Sequence, residues 1–331
     1  MLGIYFNEIS REFKMLKGMK LPARPGLLPM VNGFLELMRG RSDKKVSVQK
    51  VMIPGYEGTL IPVYVIKPKG LMEVSPCLFD FHGGGFMMKG SPAHFARAKE
   101  YAYKLNCTVI FPDYRLIPRY PYPIPLEDCF KSYRWGIDHA KELKIDRDKV
   151  AIIGDSAGGN LAAAVTMLAR DRKLPIPCCQ ILIYPVLDRR MQTESMKMYT
   201  DTPVWDAGLT KLMWKLYLSD LKIEEDGSAP VMLCASENGG QREEAMAYIS
   251  PVEAEDLSGI PDTYIEVAEF DCLRDEGVLF AEKLEKAGIP VELHKVSGSV
   301  HGYDVIMGSG SVKKLMEQRV ELLHKCFKRM K

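Results

Sequence analysis

The apolar positions of the chain change rhythm once. Up to about residue 50 they recur at mostly helical spacing. Ile4, Tyr5, Phe6, Ile9, Phe13 and Leu16 make one such stretch and residues 28–38 another, with a Pro-containing loop at 21–26 between them. From about Val46 short apolar runs alternate with helix-length segments. Residues 60–66 alternate like a strand with one exposed face. Residues 77–81, 108–111, 150–153, 180–184 and 263–267 are continuous apolar runs, the pattern of strands buried on both faces, and 291–296 is the last strand candidate. Helices are predicted at about 95–105, 125–143, 161–170, 277–287 and 312–327. This alternation predicts an α/β fold with a mostly parallel sheet covered on both faces. From about 186 to 248 the strand pattern lapses, leaving helix-like pieces such as 207–218 and the acidic Glu224-Glu225-Asp226. That region reads as an insertion over one edge of the sheet, with an ordinary connecting helix and loop as the alternative.

Composition narrows the function classes. A hydrophobic content of 47% supports a large core and excludes a disordered chain. The 45 Lys and Arg against 43 Asp and Glu leave +2, which offers no footprint for nucleic acid. No apolar run reaches the ~18 residues of a membrane span, and the first residues lack the basic leader of a signal peptide. The eight cysteines form no Cys-x-x-Cys pair and sit mostly inside apolar stretches. They read as small buried hydrophobes in a reducing, cytoplasmic compartment. With no His-Glu-x-x-His, phosphate loop or dinucleotide fingerprint, neither a metal nor a cofactor is expected.

Four positions carry chemistry. Gly154-Asp155-Ser156-Ala157-Gly158 fits G-x-S-x-G between a strand and a helix, the setting of a nucleophile on a sharp turn. The bland alternative is a Gly-rich turn with a capping Ser. His82-Gly83-Gly84-Gly85 ends the 77–81 strand, and its glycines let two N–H groups face one developing oxyanion. His82 reads as a support for that loop rather than as a base, with Gly85 beside it. His301 is the histidine on a loop at a strand end after the serine; His94, His139, His294 and His324 fall in predicted helices or a strand. After the 263–267 strand, Asp271 is the candidate acid, with Glu269 and Asp275 as alternatives.

Together with Phe86, Asp113-Tyr114-Arg115-Leu116, residues 121–129, Asn160, residues 272–277 and Gly302, these motifs resemble the hormone-sensitive-lipase-like group of α/β-hydrolases, the bacterial type IV esterases. The resemblance spans about 74–303. It implies an α/β-hydrolase fold in which residues 1–50 form a helical cap segment and 51–331 the catalytic domain, with a second cap-forming insertion at about 186–248. It implies Ser156 as nucleophile, His301 as base, Asp271 as its orienter, and an oxyanion hole from the N–H groups of Gly83, Gly84 and Ala157. It also implies a serine carboxylesterase acting on short-chain acyl esters. Alternatives are amide hydrolysis, as in arylacetamide deacetylases, sugar-acetate deacetylation, and a ligand-binding receptor of the gibberellin type, against which the presence of His301 argues. The chain departs from the family at Arg119, where Glu is usual, and at Tyr303, where Phe is usual. Met87, Met88, Trp205, Trp214 and Tyr303, with Phe34 and Tyr217, are candidates to line the substrate pocket, or else to form cap core. The expected partner is a small-molecule ester, with no nucleic acid and no membrane span; assembly into a homo-oligomer is left open.

Overall fold

The computed structural model describes residues 8–22, 24–221 and 246–328. Eight strands make one sheet in the order β1-β2-β4-β3-β5-β6-β7-β8. They are β1 Val46–Pro54, β2 Leu60–Pro68, β3 Ser75–Phe81, β4 Thr108–Pro112, β5 Ile145–Asp155, β6 Cys179–Ile183, β7 Asp262–Phe270 and β8 Val291–Val300. β1 and β2 are antiparallel, and β2 meets β4 antiparallel. Every pairing from β4 to β8 is parallel. β3 and β4 are buried along nearly their whole length, which explains their unbroken apolar runs. β1 was not among the expected strands. It lies at the sheet margin with Gln49 and Lys50 turned to solvent, so its pattern lacks both a continuous run and a clean alternation.

The labelled helices are α1 Leu28–Leu37, α2 Pro92–Leu105, α3 Ile124–Asp138, α4 Ala140–Leu143, α5 Ala157–Asp171, α6 Glu194–Met198, α7 Ala207–Tyr217, α8 Arg274–Lys286 and α9 Gly310–Lys328. The single helix expected at 125–143 breaks at His139. α5 starts four residues before its expected beginning, because Gly158 and Gly159 lie inside the helix rather than in a turn. No helix among the described residues is long and apolar enough to cross a membrane.

The chain reverses direction of growth between β3 and β5: β4 is added on one side of β3, and β5 and all later strands on the other. At such a switch point the loops leaving two neighbouring parallel strands diverge and open a crevice at their carboxyl ends. Phe81 pairs with Gly154 there, so the His82 loop and the Ser156 turn leave the sheet side by side.

Two further segments reach that end of the sheet. The helix expected across residues 4–16 is, in its described part, a 3-10 turn at Arg11–Leu16; residues 1–7 lie outside the description. Ser10 N–H donates to the Gly298 carbonyl (2.9 Å), and Glu12 accepts from Ser309 Oγ (2.6 Å), so this leading segment rests on the loops that follow residue 297. The 186–248 insertion runs between the interior strands β6 and β7 and carries α6 and α7; the acidic Glu224–Asp226 lies outside the described residues. A parallel bridge joins Lys20 to Val204, linking insertion and leading segment.

Candidate active site

Ser156 sits between β5 and α5 with φ 55° and ψ −120°, a strained conformation for a residue with a Cβ. Close packing holds it there. A Cβ on Gly158 would run into the Phe81 carbonyl oxygen, and one on Gly154 into the Gly158 backbone. Ser156 N–H donates to the Ile183 carbonyl (2.8 Å), tying the turn to β6. The two motif glycines therefore let strand, turn and helix approach closely enough to lift the serine side chain out of the sheet.

His301 follows β8 and Asp271 follows β7. His301 Nδ1 lies 2.7 Å from Asp271 Oδ2, and Nε2 lies 2.9 Å from Ser156 Oγ. Asp271 is fully buried, and its other oxygen accepts the Leu273 N–H at 3.0 Å. With a carboxylate at Nδ1, that nitrogen carries the proton, which leaves Nε2 to accept. The two rival acids are engaged elsewhere. Glu269 accepts from Gly298 N–H (2.8 Å), and Asp275 accepts from Ser195 N–H (2.7 Å) and Arg274 Nε (2.7 Å).

The glycine loop lies against the serine: a Cβ on Gly83 would collide with Asp155 and press on the Ser156 Cβ. Gly84 and Gly85 have φ values of 112° and 62°, so the loop curls through backbone conformations that favour glycine. Among the described residues no protein acceptor is bonded to the Gly83 or Gly84 N–H. Ala157 opens α5, where the first N–H groups have no intrahelical partner. His82 is fully buried, and burial pushes its ring down to about 3, so it is a neutral imidazole. Its Nδ1 lies 2.8 Å from the Gly83 carbonyl, and its ring stacks on Tyr114 (4.4 Å between centroids). The Tyr114 hydroxyl in turn donates to the His82 carbonyl (2.8 Å), and Arg115 clasps Asp128 of α3, so the Asp113–Leu116 motif braces the loop.

Beneath the serine lies a buried charge cluster that the sequence patterns did not reveal. Arg97 of α2 reaches Asp155 (2.5 Å), Asp304 (2.7 Å) and Asp80 (3.5 Å). His94 Nε2 lies 3.1 Å from Asp155, and the Tyr184 hydroxyl donates to Asp304. Burial alone pushes Asp155 up, but Arg97 and His94 together hold it well below the usual carboxylate range. Asp80 has the poorer geometry, and burial pushes it up to about 6 against the pull of Arg97. With Arg97 shared among three carboxylates, Asp80 thus takes up a proton more readily than an ordinary carboxylate does.

Above the triad is a cavity of about 480 Å³ whose lining includes Ser156, His301, Met88 and Trp205. Trp205 lies 5.9 Å from the His301 ring, and its Nε1 donates to Thr210 Oγ1 (2.8 Å). The other pocket candidates are placed elsewhere. Met87 is buried beneath Gly85, and its carbonyl accepts from Asn32. Trp214 and Tyr217 pack in the core beside Phe86. Phe34 faces solvent. The Tyr303 hydroxyl meets neither substrate space nor water: it donates to the buried Glu266, which Arg319 also grips (2.7 Å). Aromatic character announces burial or binding without saying which, and the tertiary partners decide. The remaining cavity wall comes from residues not singled out beforehand, chiefly Met19, Leu21, Val31, Leu35, Val204 and Val305. Isolated aliphatic side chains on separate segments carry no local signature. No cluster of His, Cys, Asp or Glu suited to a metal occurs among the described residues.

Residues 78–305 match the family model of the α/β-hydrolase fold. The carboxylesterase NlhH of Mycobacterium tuberculosis is 35% identical over 250 residues, covering 75% of this chain and 73% of that protein. An arylesterase of Saccharolobus solfataricus is 33% identical over 257 residues, covering 77% and 75%. The solved structure of a bacterial heroin esterase matches with a TM-score of 0.83 at 30% identity, over 98% of this chain and 99% of that one. The chain belongs to the α/β-hydrolase family, in its hormone-sensitive-lipase-like, type IV group, and is a carboxylic ester hydrolase.

Proposed function

We propose that the chain hydrolyses short-chain acyl esters through an acyl-enzyme formed on Ser156. The observation that carries this reading is the pair of contacts from Asp271 to His301 (2.7 Å) and from His301 to Ser156 (2.9 Å), made by residues following three different strands. His301 Nε2 takes the hydroxyl proton as Ser156 Oγ attacks the ester carbonyl. The oxyanion of the tetrahedral intermediate accepts hydrogen bonds from the N–H groups of Gly83, Gly84 and Ala157. The imidazolium then protonates the departing alcohol. A water attacks the acyl-enzyme, giving its proton to Nε2, and the acid leaves as Oγ recovers a proton. Asp271 holds the ring in the productive tautomer and stabilises its charged form, and His82 fixes the glycine loop.

The described parts of residues 1–50 and of the insertion at about 186–248 form the cap over this site. Both contribute to the cavity wall, and the Lys20–Val204 bridge joins them. The wall is mostly aliphatic, which favours an uncharged acyl or alcohol group over a sugar. Six of the seven described cysteines are buried, in keeping with a thiol-reducing, cytoplasmic setting.

Ser156→Ala should lower kcat for p-nitrophenyl acetate by roughly 10⁶-fold with the fold intact by circular dichroism. Retained turnover moves the nucleophile elsewhere. Across p-nitrophenyl esters from acetate to decanoate, kcat/KM should fall at the long end, and a rise toward decanoate rejects the short-chain assignment. A matched anilide hydrolysed faster than its ester would turn the reading to amide cleavage.

A further inference from the structure

The outer face of α1 is apolar where solvent should favour polar residues. Leu27, Met30, Phe34, Leu37 and Met38 fall within an arc of about 100° around the helix axis, at 3.6 residues per turn. Met30 is 70% exposed, Phe34 60% and Leu37 78%. The adjoining flank of the helix is apolar too, with Leu28 buried and Val31 and Leu35 lining the cavity above Ser156. An apolar stripe of this kind on a surface helix marks a docking face. The same helix reaches the site, because its Val31 and Leu35 line the cavity, two of whose other lining residues, Met19 and Val305, stand 48% and 43% exposed.

Charge selects the occupant. Residues 1–50 hold ten Lys and Arg against four Asp and Glu, a net of +6 in a chain of +2 overall, so the remainder is negative. Arg11, Lys14 and Arg24 are exposed, and no carboxylate lies within salt-bridge distance of them among the described residues. Arg41 and Lys44, just beyond the C-terminal end of α1, are exposed as well. Lys20 and Arg39 within that count are paired with Asp201, Asp206 and Asp113, but a two-fold contact between copies of this face would still bring together the exposed Arg24, Arg41 and Lys44 at the two ends of α1, which disfavours self-association here. A layer of anionic headgroups over hydrocarbon complements both properties at once: the stripe enters the acyl boundary while the flanking cations meet the headgroups.

We propose that α1 docks this protein peripherally on an anionic lipid surface, with the stripe of Met30, Phe34 and Leu37 inserted and the mouth of the cavity close to the membrane interface. The protein would then draw apolar esters from the lipid phase. The test reads binding rather than hydrolysis, so its outcome is separate from that of the triad. The full chain should co-sediment with vesicles of phosphatidylglycerol and phosphatidylcholine, and much less with phosphatidylcholine alone or in high salt. Met30→Gln/Phe34→Gln/Leu37→Gln should weaken binding at least roughly tenfold while p-nitrophenyl acetate is hydrolysed at the parental rate. Should that variant fold poorly, Lys14→Glu/Arg24→Glu keeps the stripe, and each lost cation should weaken binding about fivefold. Absence of binding to anionic vesicles, or binding that neither variant changes, overturns the proposal. So does a dimer in analytical ultracentrifugation that the triple variant dissociates, which would assign the stripe to a second copy of the chain.

Discussion

The floor and the roof of the site solve opposite problems. Under Ser156 the fold uses buried charge and close backbone contact: Arg97 is enclosed among three carboxylates, and two glycines let strand and helix touch. Over Ser156 it uses scattered aliphatic side chains, and its own multiply paired cation stands in water. Lys20 binds Asp201 (2.6 Å) and Asp206 (2.9 Å) with its side chain 44% exposed, whereas that of Arg97 is 5% exposed. Bond-making needs groups held within a fraction of an ångström, which burial and preorganised charge provide. Selecting an acyl or alcohol group needs mainly shape, and a roof of loosely specified apolar residues can vary without disturbing the chemistry.

The sharpest way to break this contrast is within the floor. Asp271→Asn should lower kcat by roughly 10³–10⁴ by leaving His301 in the wrong tautomer, while Asp275→Asn stays within a few-fold of the parent. If Asp275→Asn proved the damaging change, the acid would have to be reassigned. Next, Arg97→Met leaves buried Asp155 with His94 and buried Asp304 with the Tyr184 hydroxyl and Arg319 at 4.0 Å, and should cost about 3–5 kcal/mol of stability by denaturant melts. A loss under ~1 kcal/mol would mean that water reaches the cluster.

The third expectation concerns pH. The folded-state value of Asp80 is raised, to about 6. Its favourable contribution is therefore complete below about pH 4 and is lost as pH climbs through about 6. Asp80→Asn removes that loss, so the variant should gain stability relative to the parent between pH 4 and 7, by up to roughly 3 kcal/mol at about 1.4 per unit. Thermal melts showing a pH-independent difference would refute the raised value of Asp80. The smallest effect belongs to the roof: Lys20→Met should change stability by less than ~1 kcal/mol, because solvent already screens its pairs. A loss comparable to that of Arg97→Met would erase the distinction.

Much of the floor was legible in the sequence and little of the roof. The parallel strands announce themselves because burial on both faces demands continuous apolar runs. Ser156 and Asp271 stand out because each follows such a run, and His301 because it lies on the loop after the last strand candidate. β1 escaped notice because a marginal strand with Lys50 and Gln49 in solvent has no such demand placed on it. Asp155, Asp80 and Asp304 read as unrelated acids until the topology sets Arg97 among them, and Tyr303 acquires its partner Glu266 only when β7 and the loop after β8 come together. The choice between pocket and cap core for the aromatics stays open in the sequence for the same reason. Trp205 and Trp214 are nine residues apart on one insertion, yet one lies over His301 and the other is sealed in the core.

The seat of the leading segment has a consequence for biosynthesis. Ser10 and Glu12 bind Gly298 and Ser309, the latter pair 297 positions apart, and Lys20 bridges to Val204, so this stretch finds its partners far along the sequence. Residues 204–309 must be translated before it can settle. Until then Phe13 and Leu16, buried in the finished fold, have no shelter, which makes the stretch a natural client of a chaperone and the closed pocket a late acquisition.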